Sequence, residues 1–287
     1  MAEVPEIPPS AIRDHMAKFD GENYVKGWAS LWDNKAEGET LPWDRGSHSP
    51  ALEDFLVQKR GFIGSPIAEG PDGQKYRRKA LVPGCGTGYD VLLLASFGFD
   101  AYGLDYSEAA VETAKKEAAK SKDNYAVRGP AVGRGNVVFV QGDFFKDDWL
   151  AKLELAPQSF ELVYDYTFFC ALEPRLRPQW AMRHQQLLAS PPRGNLICLE
   201  FPTTKNPKWG GPPFASPSFA YMEHLSHPGE EIPYDSDGKV KFDPLRETSA
   251  LGLERVVHWQ PVRTHKSGTD ENTCEVLDRV SLWRRRA

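Results

Sequence analysis

A short apolar run, Lys79-Ala-Leu-Val-Pro83, leads directly into Gly84-Cys-Gly-Thr-Gly88 and then into an apolar, helix-like stretch from Tyr89 to Phe97. No other feature restricts the fold as tightly. A strand that ends in closely spaced glycines and turns straight into a helix opens a βαβ unit, because glycine permits the tight turn and lets a ligand approach the backbone. The next strand-like segment, DAYGLD at 100–105, closes on Asp105. Strand, glycine turn, helix, strand and acid in that order build a nucleoside site at the carboxyl ends of parallel strands, where the carboxylate accepts ribose hydroxyls. Three glycines alone would mark only a turn; the context gives them weight.

The alternation continues along the chain. Ser107 caps a predicted helix running to about Lys120. Strands are predicted at 136–140, 160–166 and 195–201, with a helix from Pro174 to about Ala189. This rhythm predicts an α/β domain with a mostly parallel sheet and helices on both faces. Two β-rich segments, 253–262 and 274–283, would close it as an antiparallel hairpin on the sheet edge. Residues 202–248, rich in proline and glycine at their start, read as irregular and as a cover over the strand ends. One domain over 1–287 is expected, with an N-terminal segment at 1–50.

The glycine pattern is G-x-G-x-G, so the third glycine falls one position early for a dinucleotide fingerprint, and no Lys-Ser/Thr follows to make a triphosphate loop. After the third strand comes Gln141-Gly-Asp143-Phe144-Phe145. Asp143 can accept from an adenine amine with Phe144 against the ring face; the plainer reading of Asp143 is a turn or cap residue. Together these features favour S-adenosyl-L-methionine over a nicotinamide dinucleotide.

Composition removes other classes. The 287 residues carry a formal charge of −5, and apart from Arg284–Arg286 no basic face is read from the sequence, which argues against a nucleic-acid partner. The apolar runs are too short to span a bilayer, and no basic, apolar leader opens the chain. Four cysteines without C-x-x-C spacing fit reduced thiols in a cytoplasmic compartment. Cys85 and Cys170 read as packing residues, since nothing basic adjoins them. His224 and His227 lack a carboxylate third at suitable spacing, so they read as solvated loop histidines and no metal is expected.

The chain resembles the thiopurine S-methyltransferase family, most closely its plant and fungal branch of thiol and halide methyltransferases. The resemblance is carried by Trp28-x-x-x-Trp32, Leu41-Pro-Trp43-Asp44-x-Gly46, Pro83-Gly-Cys-Gly86, Gly103-Leu-Asp105, Gly142-Asp143-Phe-Phe145 and Asp165-Tyr166-x-Phe-Phe-Cys-Ala-Leu-Glu-Pro174. Arg177-Pro-x-Trp180, Gly210-Gly-Pro-Pro213 and Leu282-Trp-Arg284 extend it toward the C-terminus. It implies a class I methyltransferase fold, S-adenosyl-L-methionine as donor and a small soft nucleophile as acceptor. It also implies that Trp28, Trp32 and Trp43 close over the donor, whose sulfonium charge is drawn to ring faces. Tryptophans at i and i+4 are equally one apolar helix face. Gly84 and Gly86 would border the methionine part, Asp105 the ribose, and Asp143 with Phe144 the adenine. Asp165 and Tyr166 would position or deprotonate the acceptor. Glu173, Arg177 and Trp180 match as well, or simply cap and pack the following helix.

The sequence departs from the plant relatives where Phe201 and Phe214 replace tyrosines, which removes two hydrogen-bond donors from the acceptor walls. The loop at 204–209 is also longer. An organic thiol is therefore the expected acceptor, bound under the 202–248 segment by a monomer or weak homodimer. Halide or thiocyanate methylation, and a non-catalytic donor-binding partner subunit, are the alternatives. Detoxification and secondary metabolism are the two settings such chemistry suits.

Overall fold

Local sequence sets the boundaries of several helices in the computed structural model, which describes residues 10–36, 38–121 and 124–286. Helix α1 (Ala11–Met16) is capped by the Ser10 side chain, and α2 (Tyr24–Asp33) follows a short 3-10 turn. Ser49 caps α3 (Pro50–Gln58), with Pro50 in the first turn where no donor is needed. A small hairpin, β1 (Ile67–Glu69) with β2 (Lys75–Arg77), precedes the main alternation. That alternation runs β3 (Lys79–Pro83), α4 (Tyr89–Ser96), β4 (Asp100–Asp105), α5 (Glu108–Ser121), β5 (Val137–Gln141) and α6 (Asp148–Lys152). It continues with β6 (Leu162–Tyr166), α7 (Arg177–Leu187), β7 (Asn195–Glu200), α8 (Ser218–Ser226), β8 (Leu253–Trp259) and β9 (Arg279–Arg285).

The main sheet has the order β5-β4-β3-β6-β7-β9-β8. Its first five strands are parallel, and β9 runs antiparallel between β7 and β8. The expected parallel sheet with a terminal antiparallel hairpin is present. Strand order reverses at β3, since β4 and β5 lie on one side of it and β6 and β7 on the other; a crevice therefore opens at the carboxyl ends of the central strands. Side chains alternate across the sheet, so Ala80, Val82, Tyr164 and Tyr166 join the core under α3 and α4. Leu81, Val163, Leu196 and Cys198 join the opposite core, with Trp149, Trp180 and Trp283. Burial on both faces explains why these strands read as continuous apolar runs.

Two expectations change here. The 202–248 segment is not wholly irregular, because it contains α8. That helix buries Tyr221 and Leu225 together with Glu223, His224 and Ser226, leaving no apolar stripe to betray it. The second change concerns its histidines, which are not solvated. His224 Nε2 lies 2.9 Å from the Tyr234 hydroxyl, and the His227 ring is held between the Glu223 and Glu247 carbonyls at 2.9 and 3.0 Å. Among the described residues no cluster of His, Cys, Asp or Glu is placed to hold a metal, and no helix is long and apolar enough to cross a membrane.

Candidate active site

The roof of the site is the N-terminal segment. Helix α2 presents Trp28 and Trp32 on one face, and the following loop lays Trp43 across both, with ring centroids 5.2 and 6.1 Å away and near edge-on. Trp32 also packs with Leu41 and Ala110, so it is core and site wall at once. Three hydrogen bonds pin the roof down. Tyr24 donates to the Ala171 carbonyl at 2.6 Å, Thr87 donates to Asp44 at 2.6 Å, and the Ser49 N–H donates to Asp90 at 2.7 Å.

Beneath the roof lies a cleft whose walls include Trp28, Gly84, Asp105, Asp143, Phe144 and Phe168. Gly84 has φ +59°, and a Cβ there would lie 2.5 Å from the Phe168 ring; one at Gly86 would lie 3.3 Å from Trp32. These glycines let aromatic rings close directly onto the turn. Asp105 accepts the Gly86 N–H and the Ser107 N–H, one per oxygen and each at 3.0 Å. Burial pushes its carboxyl up and these N–H groups pull it back. A carboxylate has about four acceptor sites, so two remain for a ligand. Asp143 accepts the Phe145 N–H at 3.0 Å, so it serves as a turn residue while also lining the cleft. Phe144 meets Phe168 edge-on at 5.0 Å.

A second pocket adjoins the first and shares Trp32, Trp43, Gly84, Gly86 and Thr167 with it. Tyr166 lines this pocket with its hydroxyl buried and without a hydrogen-bond partner. Burial holds that phenol well above its ordinary pKa, so it is a proton donor and not a base at neutral pH. His265 stacks on it at 5.8 Å and 9°. Burial, then the charge of Arg45, pushes His265 down to about 4, leaving it neutral. The Arg45 guanidinium lies 5.6 Å above the Phe201 ring, and its Nε is buried without a partner. Burial pushes Asp90 up to about 7 and Asp278 up to about 6. It also raises both flanking thiols, Cys170 to about 12, so neither Cys85 nor Cys170 supplies a ready thiolate.

Three of the expected site residues line neither cavity: Phe201 is a core residue packed edge-on behind Tyr166, and Asp165 and Phe214 lie elsewhere. Asp165 is fully buried on the other face of β6, accepting the Trp180 indole N–H at 2.8 Å and the Phe169 N–H at 3.2 Å, with His184 Nε2 at 3.3 Å. Adjacent residues of a strand point to opposite faces, so Asp165 and Tyr166 were never able to share one pocket. Phe214 lines a separate groove with Pro174, Arg177 and Tyr234. No described residue of 202–248 lines either cavity under the tryptophan roof. Glu173, Arg177 and Trp180 serve the packing and make no side-chain cap: Glu173 pairs with Arg175, Arg177 donates to the Ala215 carbonyl at 2.9 Å, and Trp180 donates to Asp165. Sequence reasoning missed Arg45, which fills the variable position of the Leu41–Gly46 motif, and His265, which sits in a patternless loop.

Comparison with known proteins identifies the family. The family model of thiopurine S-methyltransferase matches residues 27–262. A probable thiol methyltransferase 2 of Arabidopsis thaliana is 33% identical over 256 residues, covering 89% of this chain and 93% of the relative. A thiocyanate methyltransferase 1 of Brassica oleracea is 34% identical over 257 residues, covering 89% and 92%. Among solved structures, one from work on conversion of a disulfide bond into a thioacetal group in echinomycin biosynthesis superposes with a TM-score of 0.54 at 20% identity, covering 91% of this chain and 92% of that one. It shares the fold, that of the class I methyltransferases. The chain belongs to the thiopurine S-methyltransferase family.

Proposed function

We propose that the protein transfers a methyl group from S-adenosyl-L-methionine to the sulfur of a small-molecule thiol. The observation that carries this is the pair of cavities sharing one aromatic wall, the first suited to an adenosyl group and the second ending on an unpartnered Tyr166 hydroxyl. The residues fit the donor. The Trp28 indole N–H is buried in the cleft wall without an acceptor, and Asp105 retains two acceptor sites. In this reading Asp105 takes the ribose hydroxyls, Asp143 and Phe144 the adenine, Trp28, Gly84 and Gly86 the methionine part, and Trp32 with Trp43 the sulfonium. When bound, the donor supplies an activated methyl: the acceptor sulfur bonds to its carbon as the carbon–sulfonium bond breaks and the electron pair stays on the departing sulfur.

The protein's own residues act by placement. The three tryptophans exclude water, and the Thr87–Asp44 bond holds the roof at the turn. Orientation of this kind is worth roughly 7–11 kcal/mol when geometry is near attack. Tyr166 keeps its proton and donates a hydrogen bond to the acceptor sulfur, so it orients the nucleophile and does not act as its base. Asp165 acts through Trp180 and His184 as a support of the fold. A second reading, methylation of iodide or thiocyanate, is favoured by the unpartnered Tyr166 and Arg45 donors, which suit any small anion. The proposal includes the N-terminal segment as cover and a cytoplasmic monomer or weak homodimer working without nucleic acid, supported by four unpaired cysteines and the −5 charge.

A methyl-transfer assay by mass spectrometry tests the proposal, using labelled donor against aromatic thiols, aliphatic thiols, hydrosulfide, iodide and thiocyanate. Methyl thioethers as main products are expected. Methyl iodide or methyl thiocyanate as the main product would replace the reading by the second one, and no product with any acceptor would remove both.

A further inference from the structure

We propose that Arg45 makes the second pocket select acceptors carrying negative charge, the acceptor thiol being held as its thiolate. The inference rests on the methyl-transfer reading and names the form of substrate that this reading leaves open. Phe214 lies in another groove and Phe201 stands behind Tyr166 without lining the pocket, so neither supplies a donor there. The structure instead lays a guanidinium 5.6 Å over Phe201, in the pocket that Tyr166 lines. Its Nε is buried without a hydrogen-bond partner, and among the described residues the side chain is in no ion pair. Placing an unpaired cation in a half-buried site is costly unless a counter-charge arrives.

None of the neighbouring acids among the described residues forms an ion pair with the guanidinium, although the burial that pushes the Asp278 carboxyl up is partly offset by the Arg45 charge. Asp44 accepts from Thr87, Asp90 from the Ser49 N–H, and Asp278 from Thr264. The other groups around the pocket are Tyr166 from β6, Tyr89 from α4, Cys85 from the glycine turn and Cys170 beyond β6, all kept protonated by burial, His265 from the loop between β8 and β9, which stays neutral, and His48 from Arg45's own loop. Two donors, the Tyr166 hydroxyl and the Arg45 guanidinium, are thus left for one anion. A free aliphatic thiol is only a few per cent ionised at neutral pH, so capturing its thiolate raises the reactive fraction directly, and an aromatic thiol, already more acidic, reports the same capture as a further fall in its pKa. Attack on the methyl carbon then consumes one negative and one positive charge together, giving a neutral thioether and a neutral departing thioether.

The test titrates benzenethiol bound to the full-length protein with S-adenosylhomocysteine in the donor cleft, where no turnover occurs, by following thiolate absorbance against pH. Wild type should ionise the bound thiol about one pH unit or more below the free compound, Arg45→Gln should lose that shift, and Arg45→Lys should keep part of it. In turnover, Arg45→Gln should lower kcat/KM about tenfold to a hundredfold, with donor Kd unchanged and the Tm of the ligand-free protein no lower than wild type. Equal ionisation in wild type and Arg45→Gln, or no binding of benzenethiol to wild type, overturns the proposal. If the variant penalises 3-sulfanylpropanoate but spares benzenethiol, the charge recognised is a carboxylate and the thiolate assignment falls. A bound thiolate that depends on Arg45 but is never methylated would sustain charge selection and sink the methyl-transfer reading alone.

Discussion

Replacing Asp105 by alanine should separate donor recognition from the scaffold. Its two oxygens each accept one backbone N–H at 3.0 Å, from Gly86 and Ser107. Ser107 is 2% exposed, so its orphaned N–H would cost about 1–3 kcal/mol, whereas Gly86 borders the cleft and water can replace its partner. Removing a carboxyl that burial already disfavours returns some of this loss. The net cost is therefore below about 3 kcal/mol and lowers Tm by less than roughly 10 °C. The donor loses more. Two ribose hydroxyls hydrogen-bonded to an ionised acceptor are worth about 1.5 kcal/mol or more each, so Kd should rise about a hundredfold or more. Asp105→Asn keeps an acceptor for Ser107 but turns an amide toward Gly86, and should fall between. Calorimetry with S-adenosyl-L-methionine and a thermal melt without it measure the two effects. A folded Asp105→Ala protein that binds donor within threefold of wild type would refute the assignment.

Three further substitutions probe the frame around the site. Gly84→Ala puts a Cβ 2.5 Å from Phe168 at φ +59°, and should cost about 2–5 kcal/mol from strain and overpacking together. Phe168→Ala in the same chain should relieve the clash, so additive Tm losses in the double variant would contradict the contact. Asp165→Asn, in the Trp180–His184 network, should lower Tm by several degrees yet leave kcat/KM within about threefold below the melt; a hundredfold loss of kcat with an unchanged melt would return it to the chemistry. For Asp90, the folded carboxyl titrates near 7 against an ordinary 3.8, so the folded state holds its proton longer and loses stability as pH rises from about 4 to about 7. Asp90→Asn keeps an acceptor for the Ser49 N–H, and its Tm advantage over wild type should grow across that window; a constant difference would show that Asp90 does not titrate there.

What was legible in the sequence was local. The glycine turn, Asp105 and Asp143 announce themselves because strand, turn and acid are neighbours in the chain, and all three line one cleft. Tyr166 was found by its place at a strand end, yet Asp165 was grouped with it although strand alternation already separates them. Arg45 and His265 come from loops far apart in sequence and meet only through packing, so no spacing rule could join them. Helix α8 was hidden for a related reason: its polar Glu223 and His224 are buried by tertiary contacts, which erase the apolar periodicity a surface helix would show. The histidine pair was misread with it, since burial of an imidazole is decided by what covers it.

The wall shared by the two cavities has a thermodynamic consequence. On the proposed reading, Trp32, Trp43, Gly84, Gly86 and Thr167 border donor and acceptor alike, so that each ligand meets a wall the other has already packed against. Donor and acceptor are therefore linked, and whatever factor the first contributes to the affinity of the second is returned in equal measure. Methionine-side contacts deep in the cleft thus set part of the acceptor's affinity, and a protein stripped of its donor would be a poor judge of thiols.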